Sequence, residues 1–285
     1  MMRHTHWSVE EIRDLSTRQV IRKLRSFGIV TDEKQFRRDV RNFRSAEQLA
    51  QHWEETYTTT AQGFDLDFTW MAAIVLWERL VPDAVSSEQL DDLMQKGYAL
   101  LSAERTVDAC TIWLEVWNHL KKRFTPDIHS IEDAEKVFSG TQFLSNWCQD
   151  LEMGLGSAGV GDISFYEKRI QYCREFYTLL PETDSLIIHN MKGAEAESFF
   201  ALGMQEQGEI LFRSLIEEFP NSAWAYISWG DMYWLFRVNP KIPLDYDKAE
   251  RIYRTALDKD LDEREEVLSR LQELEEERRR DGNSR

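Results

Sequence analysis

Glu115 and His119 stand four residues apart in an apolar-periodic segment, a spacing that places both side chains on one face of a helix. Such a pair can offer two ligands to a divalent metal, but no third or fourth ligand can be named for it. The simpler expectation is a hydrogen bond along the helix surface. The remaining histidines, His4, His6, His52, His129 and His189, form no H-E-x-x-H motif and no tight cluster. His4 and His6, near the start of the chain, offer weak adventitious metal binding at most. Gly154, Gly156 and Gly159 spell G-x-G-x-x-G. A dinucleotide-binding turn of that spelling needs a strand before it and a helix directly after it. Here a helical segment precedes the glycines and Asp162 follows, so 154–161 is predicted to be a flexible linker. There is no G-x-S-x-G, Walker loop or kinase signature. Asp65/Asp67 and Asp91/Asp92 stand at expected helix starts, where carboxylates favour the helix dipole. Cys110, Cys148 and Cys173 are too few and too dispersed for a disulfide framework or a structural zinc site, and are expected to be buried, reduced thiols. The chain is therefore expected to be no enzyme, with no metal and no cofactor.

Charge narrows the partners. The 285 residues carry a formal charge of −16, which repels a phosphate backbone and disfavours nucleic acid. The balance is uneven: residues 1–50 hold 11 Lys and Arg against 7 Asp and Glu. Arg22, Lys23, Arg25, Arg37, Arg38 and Arg41 form a candidate basic patch for RNA or an acidic protein surface. Aromatic platforms are sparse there, with Phe27, Phe36 and Phe43 expected to point inward. The first residues contain no apolar signal core, and the run from Phe68 to Trp77 is about half the length that spans a bilayer. A soluble cytoplasmic protein, off the membrane, is expected.

Helices must position whatever chemistry exists. With 13 Gly and 6 Pro, turns are few, and no convincing period-two strand occurs. Helical patterns cover about 18–27, 32–43, 46–57, 64–81, 87–102, 106–124, 130–138, 141–155, 163–180, 184–202, 206–219, 222–236, 245–259 and 262–281. Ser8 and Ser45 open capping-box signatures, and Thr17 and Thr31 fit N-caps. The stripes at 70–77 and 112–117 are apolar on more than one face, as in helices packed between neighbours. Most of the ten Trp belong to such core positions.

Two segments resemble tetratricopeptide (TPR) helix–turn–helix units. In the first, Ala196 and Phe199 face the partner helix, Gly203 makes the turn, Gly208 and Phe212 come from the second helix, and Pro220 closes the unit. In the second, Tyr226, Trp229, Gly230 and Tyr233 fit the first helix, and Ala249, Tyr253 and Ala256 the second. The insertion 237–244 lengthens its turn, and no proline closes it. Weaker matches lie at 87–124, with Gly97, Ala109 and Trp113, and at 141–181. The resemblance implies a concave groove for protein or peptide, lined by Asn190, Glu197, Phe200, Trp224, Asp231 and Trp234. That mixture suits a partner with apolar and basic side chains. The Lys/Asn clamp with which TPR domains hold a chaperone's terminal carboxylate is missing: Gly193 and Glu197 occupy two of its places. Trp224 and Trp234 either line the groove or are covered by the adjoining helix or the insertion.

The whole chain also resembles a bacterial family of helical-repeat proteins, through WSVEEIRDLS at 7–16, FTWMAAIVLWERLVPD at 68–83, NWCQDLEMGLG at 146–156, IIHNMKGAEAESFFALGM at 187–204 and WGDMYWLF at 229–236. Members of that family often end in a SEC-C zinc-binding cysteine cluster. No cysteine follows Cys173 here, so that zinc function does not carry over. The expectation is an all-α, right-handed α-solenoid of TPR-like hairpins. Residues 1–60 form an N-terminal helical cap, and 61–282 the repeat region, with clearest units at 189–220 and 223–261 and a capping helix at 262–281. Its expected role is a non-catalytic protein- or peptide-binding adaptor or scaffold. Alternatives are a metal-dependent regulator or enzyme around Glu115 and His119, or docking on RNA or an acidic surface through the basic N-terminal helices.

Overall fold

The computed structural model describes residues 6–138 and 140–283. Among these there are fifteen α-helices and no strand, so the chain is all-α. The first five are α1 (Val9–Arg13), α2 (Thr17–Ser26), α3 (Glu33–Asp39), α4 (Ala46–Thr56) and α5 (Phe68–Leu80). Ser8 and Glu11 close a capping box on α1. The next two caps lie one residue away from the expected positions: Ser16 rather than Thr17, and Asp32 rather than Thr31. The α5 helix is apolar nearly all round, and α1 to α4 all pack on it. One apolar core therefore runs from Ile12 to Leu80, so α5 shares its core with the segment read as the N-terminal cap.

A second latch joins this body to the next helices. Ser45 caps α4, and Glu88 reaches the same helix start from another part of the chain. Its carboxylate accepts from the Ser45 hydroxyl at 2.7 Å and from the backbone N–H groups of Ala46 and Glu47 at 3.0 Å each. An anion at unpaired helix N–H groups is stabilised by both the hydrogen bonds and the dipole, which holds Glu88 below the usual carboxylate range although it is largely buried.

The remaining helices are α6 (Ser87–Ser102), α7 (Thr106–Leu120), α8 (Ile131–Val137), α9 (Leu144–Gly161), α10 (Ser164–Leu179), α11 (Ser185–Ala201), α12 (Gln205–Glu218), α13 (Ala223–Asp231), α14 (Tyr246–Leu257) and α15 (Arg264–Asn283). Four successive pairs pack as hairpins: α6 with α7, α9 with α10, α11 with α12, and α13 with α14. Neighbouring hairpins also touch, and α11 contacts both α9 and α13. Two further cores follow the first, from Leu90 to Ala194 and from Ala196 to Leu274.

Each hairpin closes on a glycine. A Cβ on Gly97 would lie 2.0 Å from the Trp113 indole nitrogen, one on Gly159 2.7 Å from the Tyr166 ring, one on Gly208 2.4 Å from Phe200, and one on Gly230 2.2 Å from Tyr253. These distances leave no room for any other residue, so the pairs approach as closely as they do because the glycines lack a side chain. At Gly208 the facing residue is Phe200 rather than Phe199, one 100° step away on α11.

The expected linker at 154–161 does not exist as one: α9 runs through it to Gly161. Glycines lower helix propensity, but three of these four are closely faced: an added Cβ would lie 3.1 Å from Cys110 at Gly154, 3.1 Å from Arg169 at Gly156 and 2.7 Å from Tyr166 at Gly159, of which the last leaves no room. Tertiary packing outweighs the propensity cost. Gly203 makes its expected turn with φ of 76°, a conformation that glycine adopts without strain. The insertion folds back on that turn, where the buried Asn239 amide donates to the Ala201 carbonyl at 2.8 Å. On α15, Val267, Leu271 and Leu274 are buried, while Leu268 turns outward at 41% exposure.

Gly159→Ala is expected to destabilise the chain by about 1–3 kcal/mol through overpacking against Tyr166. Gly161→Ala, with nothing within 4 Å of the added Cβ, should be stabilising by up to about 1 kcal/mol through helix propensity. Urea unfolding midpoints of the two variants distinguish these signs; shifts in the same direction would contradict the packing account.

Candidate functional site

The first helices of three successive hairpins, α9, α11 and α13, border a concavity of about 290 Å³. Gln149, Glu152 and Met153 enter it from α9, Asn190 and Glu197 from α11, and Trp224 and Ser228 from α13. Arg169 reaches it from α10. It passes close to the bare backbone at Gly156, where an added Cβ would lie 3.1 Å from the guanidinium carbon.

Arg169 forms the polar floor. Its Nε donates to Glu152 at 2.7 Å and its Nη2 to Glu197 at 3.2 Å. Burial pushes the Glu152 carboxyl above its ordinary range, with Arg169 opposing that shift. A charge that is buried must be paired, and one guanidinium facing two carboxylates leaves an acidic excess. The rim is apolar: Met153 is 64% exposed and Trp224 42%. Beside it His189 is buried, its Nε2 3.0 Å from the Ser222 hydroxyl and its ring edge-on to Phe219. Burial lowers its proton affinity, which favours a neutral imidazole.

Of the six groove positions implied by the TPR resemblance, three come together here: Asn190, Glu197 and Trp224. The other three lie elsewhere. Phe200, 3% exposed, is core, wedged against Gly208, Phe212 and Tyr233. Asp231, 1% exposed, accepts from the Tyr253 hydroxyl and pairs with Arg270 of α15 at 3.3 Å. Trp234 is half-buried and donates its indole N–H to the same Tyr253 hydroxyl at 2.8 Å. Phe200 belongs to the closure of α11 on α12, and Asp231 and Trp234 to the joint between α13, α14 and α15. Sequence reasoning missed Gln149, Met153, Arg169 and Ser228. The repeat match over 141–181 is too weak to assign groove positions on α9, and a partner contributed across a hairpin leaves no spacing signature.

The basic patch is divided. Arg22, Arg25, Arg37, Arg38 and Arg41 are exposed, whereas Lys23 pairs with Asp65 at 3.2 Å and lies 4.6 Å from the Phe27 ring centre. Arg25 donates to the Thr31 carbonyl at 3.0 Å, Arg37 to the Leu80 carbonyl and Arg38 to Gln35. Glu115 is exposed on α7 with His119 half-buried beside it, and no group of three or more His, Cys, Asp or Glu among the described residues could hold a metal ion. His4 lies outside the described residues. The three cysteines are buried, and burial pushes the Cys110 thiol up to about 11 and Cys148 up to about 12. No helix among the described residues is long and apolar enough to cross a membrane.

No family model, curated protein or solved structure matches the chain.

Asp231 gives a direct test of the joint. Burial pushes its carboxyl up to about 6, against the opposing pull of Tyr253 and Arg270. The folded chain then holds this proton when the unfolded chain has lost it, so ionisation destabilises the fold as pH rises from 3.8 to about 6. The stability of the wild type relative to Asp231→Asn is expected to fall by up to about 3 kcal/mol across that window. Urea unfolding of both proteins at pH 4 and pH 7 measures this; parallel pH profiles would contradict it.

Proposed function

We propose that the chain is a non-catalytic adaptor whose hairpins stack as a right-handed, TPR-like α-solenoid and hold a peptide across α9, α11 and α13. The resemblance to SEC-C-associated helical-repeat proteins, without the zinc motif, agrees with a binding role in the cytoplasm. In this reading α15, with a buried stripe on one side and charge on the other, caps the array. The observation that carries the proposal is the pairing of exposed Met153 and Trp224 across the Glu152–Arg169–Glu197 floor. Large apolar side chains beside a concave, acid-rich floor suit a peptide with apolar anchors and a basic side chain.

The partner class is thus a protein segment with apolar and basic residues, and the acidic tails that other TPR domains clamp are excluded by charge. Peptides of that composition, selected from a displayed library on the full chain, are expected to lose at least tenfold in affinity with Trp224→Ala and with Met153→Ala. Both variants should retain the wild-type circular dichroism, since neither side chain is core. An acidic peptide ending in a free carboxylate should show no binding at micromolar concentration. Unchanged affinity in both variants, or tight binding of the acidic peptide, would overturn the proposal.

A further inference from the structure

A second concavity, of about 520 Å³, lies where the N-terminal body meets the end of α7, and its lining is cationic. Arg37 comes from α3, Arg41 from the 3₁₀ turn Val40–Asn42, Arg44 from the link before α4, and Lys122 and Arg123 from the 3₁₀ turn Lys121–Arg123. The lining holds one carboxylate, Asp83. Among the described residues none of the five cations makes an ion pair within 4.0 Å. In a chain of net charge −16, five neighbouring cations without an acid partner are a deliberate concentration of positive potential.

Three of the cations are also held in place. Arg37 donates to the Leu80 carbonyl, Arg44 to the Arg123 carbonyl at 2.9 Å, and Arg123 to the Ser87 hydroxyl at 3.0 Å and the Val85 carbonyl. These bonds use one or two of the five N–H donors of each guanidinium and leave the rest available. Glu88, the carboxylate whose field reaches Arg123, is committed to the start of α4. Burial and the nearby Arg44 pull the Arg123 guanidinium down to about 10, and burial, Lys122 and Arg123 lower the proton affinity of His119 at the cleft edge. Arg44 and Arg123 are partly buried while Arg37, Arg41 and Lys122 stand exposed around them; like charges so placed raise one another's free energy, and a bound anion relieves all of them together.

We propose that this cleft binds a small phosphate ester of mononucleotide size, its phosphates on Arg41, Arg44, Lys122 and Arg123 and its body against Phe43 and Val85. Guanidinium forks match phosphate oxygens in pairs, and a few hundred cubic ångströms suits a ligand of that size. An extended phosphate backbone fits less well, because the chain as a whole carries a charge of −16. The site is separate from the peptide groove, and neither depends on the other.

Isothermal titration of the full chain with AMP, ATP and sodium pyrophosphate, metal-free at about 0.15 M salt, tests this. One saturable site is expected for ATP, with AMP and pyrophosphate each binding more weakly. Arg41→Ala and Lys122→Ala should each weaken ATP at least tenfold; neither side chain makes a hydrogen bond or ion pair among the described residues, so the fold should survive both. Arg22→Ala, outside the cleft, should leave the affinity unchanged. Absence of saturation up to millimolar ATP, or ATP binding indifferent to both cleft variants, would overturn the proposal. So would a single-stranded RNA oligonucleotide binding more tightly than ATP with the same sensitivity, which would mark a nucleic-acid surface instead.

Discussion

Four times along the chain a glycine on one helix lies against an aromatic ring on its partner: Gly97 and Trp113, Gly159 and Tyr166, Gly208 and Phe200, Gly230 and Tyr253. Each contact lets two helices approach until ring and backbone meet, and each ring is buried by that approach. The geometry of the molecule beyond the N-terminal body follows from this repeated constraint. A pair of helices so joined still has apolar sides that it cannot shield alone, and the next pair covers them. Alternate helices then come into contact, as α9, α11 and α13 do. The peptide groove proposed above is the surface that this alternation leaves uncovered.

Charge is distributed with the same economy. The carboxylates of Glu152 and Glu88 are buried or nearly so, and each is answered: Glu152 by Arg169, Glu88 by the N–H groups that open α4. Asp231 is answered by Tyr253 and Arg270, which ties the last hairpin to α15. Against this pattern of local compensation, the cleft around Arg44 and Arg123 stands out, with five cations gathered around one carboxylate, Asp83, and none of them ion-paired among the described residues. Satisfied buried charges hold a structure together, whereas partly buried, uncompensated ones mark places where a ligand completes it.

Much of this was legible in the sequence, and the failures have physical causes. The all-α architecture follows from apolar spacing and sparse turn residues, and the turn at Gly203 and the small-residue positions Gly97, Gly208 and Gly230 follow from the repeat pattern. The run from Gly154 to Gly161 misleads because glycine content reads locally as flexibility, while its role is set by Cys110, Arg169 and Tyr166 on other helices. Phe199 and Phe200 are adjacent, so a one-residue error in helix phase exchanges a core side chain for a groove one. The basic stretch before α4 supplies Arg37 and Arg41 of the cationic cleft, but Lys122 and Arg123, like Arg169 in the groove, come from elements far apart in the chain and leave no spacing signature.

Hydrogen–deuterium exchange of the full chain, alone and saturated with a selected apolar and basic peptide, tests the central claim most directly. The account predicts slowed exchange confined to segments around 149–153, 190–197 and 224–228, on three helices separated in sequence by their hairpin partners. Protection concentrated on α12, α14 or the N-terminal body, with those three segments unchanged, would contradict it.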